Sequence, residues 1–277
     1  MAYITDEIIC NGLGAIFSKK DVRDYKLVCN MTHFEFPKEF QLDHFDDNIV
    51  KNQGNVGSCV AHALSTAIEY YDYTQNQVEE AMSTGYIYGN RNTSLHKGDG
   101  MIIRDALSAV RKYGDVYKRD FPYNIEAKRA IVYFQDMVDD LYEKGYANRI
   151  SNYCRVKTES EIKQALYEGK PVVIAIKWYS CMRVIDGVLT KTTNDYDGAH
   201  CMLIYGWDER GWKVQNSHGA YWGKKGKCIV PYNMKLEEAW AVIDTVTGTS
   251  LDIKKPFSSK VGKYIALLLN KMWRLFS

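Results

Sequence analysis

The chain has 277 residues, 46% of them apolar and 25% charged, with a net charge of +2. That balance suits a soluble globular protein large enough for one big domain or two packed lobes, and it lacks the basic excess of a dedicated nucleic-acid binder. The seven cysteines are odd in number, widely spaced and free of any CxxC, which argues against a disulfide framework or a zinc site and for reduced thiols.

The first residues, MAYITDEIIC, carry acids where a signal peptide needs a basic start. No run approaches the roughly 18 apolar residues of a membrane span, so the expected location is the cytoplasm. Residues 1–40 read as an extended lead-in broken by the turn signals NGLG and FPKEF. From Val60 the apolar positions Val60, Ala63, Leu64, Ala67, Ile68 and Tyr71 keep helical spacing, with Ser58 or Cys59 at the helix start. A second helix is expected over 103–113, stopping at Gly114, and a third over about 128–144, stopping at Gly145.

The texture changes near residue 153. A short helix over about 159–168 precedes the strand-like runs VVIAIKW (172–178), HCMLIYGW (200–207), GWKVQN (211–216) and KCIVPY (227–232). A helical half meeting a strand-rich half implies an α+β protein of two lobes. The segment 248–277 reads as a separate tail. After Pro256 it forms an amphipathic pattern with Trp273, and residues 251–277 hold six lysines and arginines against one acid. Such a helix suits packing on the body or a partner protein, or docking at an anionic membrane surface.

The stretch NQGNVGSCVAHALS (52–65) places Cys59 at a helix N-terminus, where unpaired N–H groups and the helix dipole favour a thiolate. Gly57 leaves room for a substrate backbone, and Gln53 offers an amide that can join the Cys59 N–H at a developing oxyanion. His200, at the mouth of one strand, and Asn216, after the next, can lie side by side as a base and its orienting partner. His62, one turn after Cys59, reads as structural. The histidines have no ligand spacing, so no metal site is expected.

These segments resemble the papain-like cysteine peptidases. QGNVGSC matches the family's nucleophile segment, HCMLIYGW its histidine segment, and QNSHGAYWGKKGK its asparagine segment. GMIIRDALSAVRKYGDVYKRDFPY (100–123) matches the stretch that begins with a substrate-binding glycine. The pattern is nearest to microbial and viral members that lack the pro-domain and the disulfide beside the nucleophile; Val56 stands where secreted members have that cysteine. The resemblance implies an α+β fold with a helical lobe (about 55–150) and an antiparallel β-barrel-like lobe (about 155–247), together the peptidase domain 41–247, with the active site in the cleft between them. It implies a cysteine endopeptidase that works through an acyl-enzyme, needs no cofactor, and takes a peptide or protein as substrate.

Carried over by residue, Cys59 is the nucleophile, His200 the base and acid, Asn216 the orienter, and Gln53 an oxyanion donor. Gly57, Gly100, Met101, Ile102, Ala175, Cys201 and His218 are the candidate substrate-binding residues, with an apolar pocket for the residue two before the cut. His218 replaces the family tryptophan that shields the His–Asn bond. The lead-in is too short for a helical inhibitory domain, so control by location or partner is expected over zymogen control. An amidase or transpeptidase acting on cell-wall peptides with the same triad, or a weakly active peptide-binding homologue, are the alternatives.

Overall fold

The computed structural model describes residues 12–27, 35–46, 48–92, 98–122, 140–179, 181–191 and 193–244. The tail and most of the third expected helix lie outside them.

The first long element is α1 (Cys59–Asn76), which begins at the residue that its sequence pattern indicates. It is buried nearly all round over its first turns, with Cys59, Val60, Leu64 and Ala67 fully enclosed. A helix so covered is the central strut, and it packs on α2 (Thr84–Gly89), α3 (Ile103–Tyr113) and the long strand β8 (Tyr196–Asp208). α3 ends at Gly114, whose φ of 71° and N–H bond to the Val110 carbonyl make the stop. Residues 140–145 are helical and run into a 3₁₀ turn at Tyr146–Asn148.

The second half is one nine-stranded sheet. Its order is β4 (Asn152–Arg155), β11 (Leu236–Ile243), β5 (Val172–Tyr179), β8, β9 (Gly211–Gln215), β10 (Lys227–Pro231), β7 (Val188–Thr190) and β6 (Arg183–Ile185), with β2 (Phe40–Gln41) also paired to β8. All its pairings are antiparallel except β10 with β7. α4 (Glu159–Tyr167) opens on a capping box in which Thr158 and Glu161 satisfy each other's backbone N–H groups. β5 and β8 form the spine because their alternation is lost: Val172–Ile176 and Ala199–Ile204 are buried on both faces.

A two-stranded parallel pair stands apart, β1 (Ala15–Ile16) with β3 (Met101–Ile102). It draws a piece of the lead-in onto the start of α3.

Candidate active site

Cys59 is the first residue of α1, and the first turn of that helix holds no acid to oppose a thiolate. His200 lies within β8 opposite Ile176 of β5, and the next residue, Cys201, lies opposite Ala175. The Cys201 N–H reaches the Cys59 sulfur, so the helix start abuts the strand beside the histidine.

Asn216 follows β9, and its Oδ1 lies 2.6 Å from His200 Nε2. The same oxygen accepts the Ser217 N–H at 2.7 Å, which fixes the amide orientation. With Nε2 as donor, the tautomer leaves Nδ1 as the acceptor. Nδ1 is buried without a hydrogen-bond partner among the described residues.

Gln53 is fully buried and held at both ends of its amide. The Ser217 hydroxyl donates to its Oε1, while its Nε2 donates to the Val56 carbonyl at 2.8 Å and to the Gly12 carbonyl. Ser217 is a positioning contact absent from the sequence reading. The signal was its place between Asn216 and His218, since a turn that aims one side chain at the site aims its neighbours there too.

His218 completes this run of three. Its ring stacks on His200 with centroids 4.7 Å apart and planes 15° apart. Trp178 stands edge-on to His200 at 4.7 Å and to His218 at 5.7 Å, and Trp222 stands edge-on to His218 at 5.7 Å. His218 is 7% exposed, so its surroundings are these rings. His62 bonds through Nδ1 to the Ser58 carbonyl at 2.9 Å, the structural placement expected.

The lead-in occupies the ground in front of these groups. The Gly12 carbonyl takes the Gln53 amide, the Gly14 N–H reaches the Cys59 sulfur, and the Gly14 carbonyl accepts the Met101 N–H at 2.8 Å. Ala15 then pairs with Met101 and Ile16 with Ile102. A Cβ on Gly12 would lie 2.8 Å from Gln53 Nε2 and 3.0 Å from the Val56 carbonyl oxygen, and one on Gly14 would strike the Gly57 backbone. Only glycine lets the strap lie this close. The sequence expectation of control by location or partner over zymogen control rested on the length that a helical inhibitory domain needs. An extended strap needs only a few residues, and this one runs from Gly12 to Ile16.

Beyond Ile16 the strap is clasped. The Ser18 N–H donates to Glu238, whose other oxygen accepts the Trp240 indole N–H at 2.8 Å. Asp24 meets Arg104 of α3 at 2.6 Å and Arg155 of β4 at 3.5 Å, with both guanidinium groups over the Trp240 ring.

Burial governs the electrostatics. It pushes the Cys59 thiol up to about 11 against the pull of the surrounding N–H groups, and it pushes His200 down to about 4 against the Asn216 bond. Both shifts favour the neutral thiol and the neutral imidazole. Gly57, Gly100, Met101 and Ile102 lie together along the strap, whereas Ala175 and Cys201 are fully buried side by side in the sheet. Among the described residues no group of three or more His, Cys, Asp or Glu is placed to hold a metal, and no helix is long and apolar enough to cross a membrane.

Comparison with known proteins bears on the family and the fold. The chain is 25% identical over 252 residues to an uncharacterised peptidase C1-like protein of Acanthamoeba polyphaga mimivirus, covering 80% of this chain and 78% of the relative. It is 26% identical over 216 residues to cathepsin F of Drosophila melanogaster, covering 70% of this chain but spanning only 33% of that longer relative. Among solved structures, xylellain, a cysteine protease from Xylella fastidiosa, superposes with a TM-score of 0.74 at 23% identity over 87% of this chain and 99% of the other. The model of the papain family of cysteine proteases matches residues 37–241, most of the chain, which therefore belongs to that family and is a cysteine-type peptidase.

Proposed function

We propose that the protein is an endopeptidase in which Cys59 attacks a peptide carbonyl and forms a thioester acyl-enzyme. Cys59 gives its proton to His200 Nδ1, and the resulting thiolate adds to the carbonyl carbon. The oxyanion takes hydrogen bonds from Gln53 Nε2 and the Cys59 N–H. His200 returns its proton to the leaving amine; it then draws one from the water that hydrolyses the thioester. Asn216 holds the imidazole in the tautomer that this requires. The observation that carries the reading is the 2.6 Å His200–Asn216 contact with Nδ1 left unbonded, on the strand whose next N–H, that of Cys201, reaches the Cys59 sulfur.

In the resting form the strap is an intramolecular occupant of the substrate cleft. Gly100 and Met101 would pair with a substrate, with Met101, Ile102, Ala175 and Cys201 making an apolar pocket for the residue two before the cut. A substrate so placed runs toward Gln53 from Met101. The strap runs the other way, from Gly12 at Gln53 to Ala15 at Met101, parallel to β3. Its peptide bonds therefore face Cys59 in the wrong sense for acylation. The strap blocks without being a substrate, and displacement opens the site. In this reading the protein acts in the cytoplasm; the basic segment 248–277, whose sequence pattern suits a partner protein or membrane surface, lies outside the described residues.

A peptidyl electrophile aimed at thiols tests the reading. Wild-type protein should be labelled at Cys59 and Cys59→Ala should not. Label persisting in that variant would place the nucleophile elsewhere.

A further inference from the structure

We propose that His218 is a positioning residue that narrows the pH window in which Cys59 and His200 are an ion pair. The inference rests on the peptidase reading above, since it concerns the ionisation of that site. Two imidazoles lie face to face, 4.7 Å apart, within a collar of Trp178 and Trp222. His218 Nε2 is buried with no hydrogen-bond partner among the described residues. A buried polar atom left unbonded is a cost that packing alone does not explain, because an apolar ring would fill the same space without it.

The chemistry needs a positive charge on His200. A ring laid over that charge stabilises it according to the electron density of its face, and indole serves best. Neutral imidazole serves less well, and a second proton on it would repel the first. The other titratable groups near the stack are Cys59 and His62 from α1 and Cys201 from β8, with Lys51 acting on His62. Among the described residues no carboxylate bears on either stacked ring, so nothing offsets the weaker support. A less stable imidazolium loses its proton at lower pH, which brings the alkaline limb down. The acid limb has the imidazolium present before and after the thiol loses its proton, so the face laid over that cation leaves it in place.

The test is the pH dependence of Cys59 alkylation by iodoacetamide, read by peptide mapping, beside that of kcat/KM on a fluorogenic peptide. Wild type is compared with His218→Trp and His218→Phe. In His218→Trp the alkaline limb should move up by roughly half to one pH unit, the size expected of a cation–π contact, while the acid limb stays in place. His218→Phe should move the alkaline limb the same way by less, and it carries the test if the tryptophan variant fails to fold. An alkaline limb that coincides with wild type, or that moves down, would overturn the proposal, as would a uniform loss of kcat with fixed limbs. Alkylation reports the thiolate whether or not peptides are cleaved. A shifted alkaline limb of alkylation without any peptide cleavage would therefore sink the peptidase reading and leave this one standing.

Discussion

Substituting Gly14 by alanine should switch the protein on. The new Cβ would be driven into the carbonyl oxygen, carbonyl carbon and Cα of Gly57, all of them backbone atoms that cannot rotate away. The strap must then lift, giving up the Gly14 N–H contact to the Cys59 sulfur and the 2.8 Å bond from the Met101 N–H. Forcing one extra carbon into a well-packed site costs about 1–3 kcal/mol. At about 1.4 kcal/mol per tenfold, the open fraction should rise roughly 5- to 150-fold until the strap is mostly open.

The assay is the rate of Cys59 labelling by a peptidyl electrophile at concentrations far below saturation, with Cys59→Ala as the blank. Gly198→Ala supplies a graded control, because its Cβ would press on the flexible Leu13 side chain at 3.2–3.3 Å and not on backbone. Gly14→Ala should therefore exceed Gly198→Ala, and both should exceed wild type. A folded Gly14→Ala protein labelled no faster than wild type would show that the strap is not the gate.

Asp24→Asn removes the carboxylate shared by Arg104 and Arg155. Breaking a largely buried pair costs up to about 3 kcal/mol, so labelling should quicken while the melting temperature falls. Ser217→Ala frees the Gln53 amide to rotate and should lower kcat about tenfold with KM little changed; Gln53→Ala should cost about 10²–10³ in kcat, as loss of an oxyanion donor does. Stability should fall with acid. Burial holds His200 near 4, His62 near 3 and His218 near 2, below the unfolded value of about 6.5. Below that value the unfolded chain takes up protons that the folded chain refuses. Each histidine should then remove about 1.4 kcal/mol per pH unit, and melting temperatures that stay level from pH 7 to pH 5 would contradict this.

What the sequence disclosed follows from how local each signal is. The start of α1 could be narrowed to Ser58 or Cys59 because its apolar spacing and the cysteine at its start are a single continuous pattern; its end at Asn76 lies beyond the last apolar position, Tyr71. β5 and the middle of β8 were readable as near-continuous apolar runs, which is how doubly covered strands look, and β9 and β10 as short β-rich segments between turns. β11 escaped because Glu238 interrupts LEEAWAVI. The strand tolerates it through a register shift between Leu236 and Glu238, and through the bonds its carboxylate makes to Trp240 and Ser18. The Asp24–Arg104–Arg155 clasp joins three distant parts of the chain, so no window contains it. The strap left one trace, the glycines of NGLG. A turn and a close backbone approach both ask for glycine, and only the fold distinguishes them.

The strap's effect on catalysis is not only steric. In the proposed closed state Cys59, which the Gly14 N–H reaches, and His200 are both out of water, and burial favours the neutral form of each: the thiol keeps its proton and the imidazole declines it. Steric closure and loss of the ion pair are thus one event. The Gly14 N–H on the sulfur softens the penalty slightly, but it disappears when the strap lifts and water replaces it. Opening therefore hydrates the pair, lets the two pKa values approach each other, and allows the helix N-terminus to support the thiolate. Gly14→Ala should consequently gain more in labelling than access alone provides. A reagent small enough to enter the closed site should still react faster with the variant, and thiolate absorbance should rise in step. Equal thiolate content in wild type and variant would separate the two effects and reduce the strap to a simple plug.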